Sequence, residues 1–159
     1  MKKKSTFFLQ AVIVIIALLS ITALIWFPLV EGRAENLDLL HVYIDPLILY
    51  VYASSIIYFV ALYKAFKLLG YIGENSIFSI NAVKALRSIK YCAIAISILI
   101  VGGGLYIKIF HPEEDDPAGF IVLCFVAAIV SVVVATAAAI FEKLLQNAID
   151  IKSENELTI

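Results

Sequence analysis

Four long stretches of this chain carry no formal charge, and that feature constrains its fold more than any other. They run from Phe7 to Val30, Leu47 to Tyr63, Tyr91 to Ile107 and Ala118 to Phe141. A helix that crosses a bilayer needs about 20 mostly apolar residues. The second and third stretches are short, but Lys64, Lys67, Lys90 and Lys108 stand at their ends. Such side chains carry their ammonium groups out to the headgroups on apolar stems. Barrel strands would alternate apolar and polar residues over about ten positions. These stretches are apolar all round, which predicts helices. Composition agrees: 63% of residues are hydrophobic and 16% charged, with a mean hydropathy of +1.01. A soluble domain is roughly half apolar and a quarter charged. An ordinary soluble enzyme and a disordered tail are both excluded. A net charge of −1 and a pI near 6.1 argue against direct nucleic-acid binding.

The first stretch follows Lys2, Lys3 and Lys4, as a secretory signal would. Signal cores, however, run to about 7–15 residues before a small-residue cleavage site. This one is longer and continues into Trp26-Phe27-Pro28-Leu29-Val30, so it is expected to remain as the first span. Orientation follows from lysine and arginine placement. Lys2, Lys3, Lys4, Lys64, Lys67, Lys84, Arg87, Lys90, Lys143 and Lys152 fall on one side, against Arg33 and Lys108 on the other. The basic side is expected to be the cytoplasm, with both termini inside. That leaves a cytoplasmic loop over 64–90 and a cytoplasmic tail over 142–159. The outer loops are acidic: Glu31, Glu35, Asp38 and Asp45 in one, Glu113, Glu114, Asp115 and Asp116 in the other. Aromatic residues such as Trp26, Tyr63, Tyr91, Tyr106 and Phe141 gather near the interfaces, as an aromatic belt requires. The expected fold is an all-α integral membrane domain: four transmembrane helices in a bundle, extended by cytoplasmic helices, in the bacterial inner membrane.

Lipid gives helices no hydrophobic reason to associate, so small residues matter. Ala127, Ser131, Ala135 and Ala139 recur every fourth position in span four, widened by Ala128 and Ala138. Gly102-Gly103-Gly104 in span three either admits a neighbouring helix or bends its own. Spans three and four are expected to pack closely, although the same stripe could instead serve a homo-oligomer. Cys92 and Cys124 sit inside spans near opposite faces and read as space-fillers.

No span has a charged residue in its middle, and Pro28, Pro46 and Pro117 lie at ends. Ion paths and proton relays usually need intramembrane ionisable groups, and many transporters need broken helices. Transport is therefore disfavoured, with a small oligomeric pore kept as an alternative. His111 with Glu113–Asp116 offers hard-cation ligands, but Pro112 and Pro117 bracket a plain turn, so no metal or cofactor is expected. The segment Leu37–Asp45 is apolar for a loop and could lie on the outer interface or cap the bundle. No hydrolase triad, zinc motif, P-loop or dinucleotide fingerprint occurs. Asn147, Asp150, Glu154 and Asn155 are the only polar residues that could converge, and a solvated tail explains them. No enzyme is expected.

On the cytoplasmic side, span two is expected to stay helical to Leu69 and turn at Gly70 and Gly73. Ser79 then caps a helix running into span three. Ile80, Val83 and Leu86 form its apolar stripe; Asn81, Lys84, Arg87 and Lys90 form its polar one. Beyond span four, Phe141, Leu144, Leu145, Ala148 and Ile149 keep an apolar face. Glu142, Lys143, Gln146, Asn147 and Asp150 are placed on the wet side. The two extensions could pack together, lie on lipid, or dock a partner helix.

Two of these segments resemble a known family. Ile77-Phe78-Ser79-Ile80-Asn81-Ala82-Val83-Lys84-Ala85-Leu86-Arg87 is similar to its "Phe-Ser, Asn, Leu-Arg" signature. The stretch from Leu145 to the end, Glu154-Asn155-Glu156-Leu157-Thr158-Ile159 included, resembles its C-terminus. The family comprises uncharacterised four-span bacterial membrane proteins, catalogued as a domain of unknown function. Its members are often encoded beside a small helix-turn-helix regulator of the Xre type. The resemblance implies a soluble cytoplasmic partner, and the expected contact residues are Phe78, Asn81, Leu86, Arg87, Asn147, Asp150, Glu154, Asn155, Leu157 and Thr158. The reading is a regulatory or sensory membrane protein that docks such a regulator, with an immunity-type protein as a further alternative.

Overall fold

A computed structural model describes residues 3–29, 45–110 and 118–157. The described chain consists of α1 (Lys3–Trp26), a 3₁₀ turn (Phe27–Leu29), α2 (Pro46–Gly73), α3 (Ile80–Phe110) and α4 (Ala118–Leu157). All four α-helices are long and apolar enough to cross a membrane. The expected acidic outer loops, both histidines and most of the Leu37–Asp45 segment lie outside the described residues.

Helix ends follow from local chemistry. α1 gives way to a 3₁₀ turn around buried Pro28, which has no N–H to continue the ladder. Asp45 caps α2: its carboxylate accepts from Leu47 N–H at 2.7 Å, and Pro46 fills the first helical position. The far end of α2 differs from expectation. The helix does not turn at Gly70 but continues to Gly73, and the reversal falls on Asn75, which is left-handed at φ 55°. Asn75 N–H donates to Ile72 O and Ser76 N–H to Tyr71 O, the paired bonds of a Schellman ending. Gly70 and Gly73 serve contact instead. A Cβ at Gly73 would stand 3.1 Å from Thr6 Cγ2, and one at Gly70 would stand 3.6 Å from Gln10 Nε2.

Each helix packs antiparallel on the next in chain order. Polar bonds stitch α1 to α2: Gln10 Nε2 donates to Phe66 O, Ser20 and Tyr58 hydroxyls lie 3.0 Å apart, and Tyr52 OH donates to Leu24 O. The glycine run in α3 does not break the helix. Gly102 and Gly103 receive the Tyr50 ring, whose hydroxyl donates to Leu99 O at 2.7 Å. Gly104 receives Cys124 of α4.

The α3–α4 pairing is the most extensive. Its seam on α4 runs Cys124, Ala128, Ser131, Ala135, Ala138, Glu142, Leu145, Ile149. The spacing alternates four and three, that of a left-handed, coiled-coil-like pair. Ala128, Ala135 and Ala138 are buried, whereas Ala127 and Ala139 of the expected every-fourth row are only half-buried. A strict i+4 row drifts around the helix by about 120° between residues 127 and 139, so it cannot stay in one seam.

Candidate functional site

The antiparallel order brings the start of α1, the α2–α3 connection and the end of α4 to one end of the molecule. This, the basic end, carries Lys3, Lys4, Lys64, Lys67, Lys84, Arg87, Lys90, Lys143 and Lys152.

The basic end has its own small core. Ser79 caps α3, its carbonyl accepting from Ala82 N–H at 3.0 Å and its hydroxyl at 3.4 Å. The first turns of α3 then present Ala82, Val83 and Leu86 to Leu145 of α4, and all four are buried. Leu68, Tyr71, Ile77 and Ile149 close around them. The two amphipathic extensions therefore pack on each other. At 40 residues, α4 is about 60 Å long, roughly twice the ~30 Å hydrocarbon thickness, so about half of it exceeds what the hydrocarbon can cover.

Glu142 locks this core to the spans. It was expected on the wet side with Lys143, yet it is only 9% exposed. The α4 seam turns it toward α3, where Lys90 Nζ donates at 2.7 Å to one carboxylate oxygen and Arg87 Nε at 2.6 Å to the other. These bonds, that from Lys90 foremost, hold the Glu142 carboxyl below the usual carboxylate range. The same contact raises the Arg87 pKa. A polar residue in an otherwise small and apolar seam fixes register, because any slip strands a charge.

Beside this core lies an apolar groove of about 400 Å³. Its walls come from Leu68 and Ile72 of α2, Ile77 and Phe78 of the connection, and Phe141, Leu144 and Ala148 of α4, over a floor that includes Leu86 and Leu145. Phe78, Phe141 and Leu144 remain largely exposed. A second cavity of about 390 Å³ lies at the opposite end, between Tyr50, Gly102, Gly103 and Tyr106.

The structure gathers some of the sequence-predicted contact residues and separates others. Phe78 and Leu86 meet at the groove. Arg87 is held in the Glu142 cluster with its side chain still half exposed. Asn81 is exposed at the start of α3. Asn147, Asp150 and Glu154 make one exposed stripe at i, i+3 and i+7, on the side of α4 away from Leu145. Asp150 there accepts from Gln146 at 2.9 Å. Asn155 is exposed, and Leu157 ends α4. Thr158 lies outside the described residues. Glu142, Leu68 and Ile72 were not singled out from the sequence; the four-three spacing from Cys124 is the signal that finds Glu142. Among the described residues, no three His, Cys, Asp or Glu side chains come together as a metal site would need.

A family described as "Protein of unknown function (DUF2975)" matches residues 5–159. The chain is also 42% identical, over the whole of both chains, to a Bacillus subtilis (strain 168) protein named "Uncharacterized membrane protein YoaS". No solved structure matches. Relative and helices together place the chain as a multi-pass protein of the bacterial cytoplasmic membrane.

Proposed function

This chain belongs to the DUF2975 family, and we propose that it is a non-enzymatic regulatory protein whose basic end faces the cytoplasm and docks a small helix-turn-helix regulator. One observation carries the reading: an apolar groove with exposed Phe78 and Leu144 stands on a packed, ion-paired platform at the basic end. Solvent-exposed apolar walls on a rigid base are what a partner helix needs. The positive-inside rule supports a cytoplasmic position for that end, where such a regulator resides.

The spans favour this reading over transport. Ser20, Tyr50, Tyr52 and Tyr58 are engaged in helix–helix bonds, while Thr22, Ser54, Ser131 and Thr136 bond to their own helix backbone. Side chains so engaged hold helices together rather than line a water path.

The test is co-purification of the full chain with a small helix-turn-helix regulator of the kind encoded beside family members. The chain is expected to retain it, and removal of the last fifteen residues to weaken retention. Equal recovery with the truncated chain would reject the tail's part, and no recovery with either would reject the reading.

A further inference from the structure

The position of the groove narrows what can fill it. Its α2 wall begins one helical turn beyond Lys64, since Leu68 is i+4 to that lysine and on the same face. Its α3 floor residue, Leu86, is likewise one turn beyond Lys90. At 1.5 Å per residue, Leu68 and Ile72 lie about 6–12 Å outward of Lys64, and Leu86 about 6 Å outward of Lys90. Lysines flanking apolar spans mark the headgroup level. Because a lysine stem carries its ammonium outward, Leu68 and Leu86 stand at that level and Ile72 beyond it, so acyl chains do not reach the outer part of the groove. A lipid seated there would have to turn its tails toward water.

The charge at the inner mouth of the groove is also defined. Lys90 and Arg87 share Glu142, which leaves that cluster one positive charge in excess. Lys64 is half-buried, lies within electrostatic reach of Cys92 on α3, and has no carboxylate partner among the described residues. The groove thus ends, on its membrane side, in two uncompensated positive charges. Its α4 wall extends from Phe141 to Ala148, about 10 Å, or two helical turns.

We propose that the groove seats an amphipathic helix of about two turns, with apolar anchors at i, i+3 or i+4, and i+7 and acidic side chains at its membrane-proximal end. Phe78 and Leu144 clamp the anchors, and Lys64 meets the acids. This rests on the docking role proposed above and supplies the chemistry of the docked segment.

The test uses the full chain in phosphatidylcholine nanodiscs and a fluorescein-labelled designed helix of about 14 residues. One version carries leucine anchors with glutamate flanks and the other the same anchors with lysine flanks. The glutamate version is expected to bind at least about tenfold more tightly. Leu144→Glu is expected to weaken it by at least about tenfold, and Lys64→Glu to abolish the preference between the two. Leu144 is exposed and Lys64 only half-buried, and a thermal melt of each variant confirms that the fold is retained. Equal binding of both versions, equal binding to empty nanodiscs, or no effect of Leu144→Glu would overturn the proposal. So would a phospholipid or a second copy of the chain that is released by Leu144→Glu. Titrating the helix-turn-helix regulator in parallel separates the two readings. If the designed helix binds and the regulator does not, the choice of partner fails and the groove stands. A regulator that binds regardless of Leu144→Glu and Lys64→Glu keeps its role, and the groove assignment fails.

Discussion

Removing the Glu142 carboxylate should loosen the α3–α4 seam at its basic end. In Glu142→Ala, Lys90 loses its only ion-pair partner among the described residues while its side chain is 21% exposed. Hydrogen bonds between charged groups contribute about 1.5–3 kcal/mol, and stranding the remaining charge lies at the upper side of that range. The Arg87 arm adds less, because its side chain is 55% exposed and water replaces the bond. A loss of about 2 kcal/mol is therefore expected, or roughly a 30-fold fall in the folded-to-unfolded ratio. The assay is equilibrium unfolding in mixed micelles with a double-mutant cycle of Glu142→Ala and Lys90→Ala. A coupling of about 1–2 kcal/mol is expected between them. The pH dependence has a definite sign. The folded-state pKa of Glu142 is lowered, so its contribution is present above the unfolded carboxyl pKa and disappears as pH falls through the folded value. The gap between the natural chain and Glu142→Gln should close in acid. A coupling within about 0.3 kcal/mol of zero at neutral pH, or a gap that widens in acid, would refute the reasoning.

Three further outcomes follow from packing and caps. Gly103→Val should cost about 1–3 kcal/mol in the same unfolding assay, because a Cβ there already stands 3.2 Å from Tyr50 Cε1 and added methyls drive α2 from α3. Asn75→Gly should leave stability equal or slightly higher, whereas Asn75→Val should lower it by about 1 kcal/mol or more, since the position is left-handed. Ser79→Ala should cost about 1 kcal/mol through the lost α3 cap, and hydrogen exchange should speed first at the amides of residues 80–83.

The spans were legible because burial in lipid demands uninterrupted apolar sequence, and the four runs supply it without ambiguity. Ser79 was legible as a cap because its chemistry is local. What local chemistry does not decide was harder to read. Gly70 and Gly73 look like turn residues, but a glycine serves a close helix contact equally well. Here α1 brings Gln10 and Thr6 against them. Glu142 sits between Phe141 and Lys143 at the edge of a span, where solvent is the usual surrounding for a carboxylate. Only the register set by Cys124, Ala128, Ala135 and Ala138 turns it inward. The groove depends on α2 as well as on the two motif-bearing segments. Leu68 and Ile72 resemble any other span residue until the α2–α3 reversal places them beside α4.

The orientation of the basic platform is the claim on which docking depends, and cysteine accessibility tests it directly. A single cysteine at Ser153, exposed on the projecting part of α4, is placed in a chain whose Cys92 and Cys124 are replaced by alanine. A membrane-impermeant maleimide is then applied to intact and to lysed cells. No labelling of intact cells and full labelling after lysis is the expected result. Labelling of intact cells would put the groove and its ion-paired platform outside, beyond reach of any cytoplasmic partner.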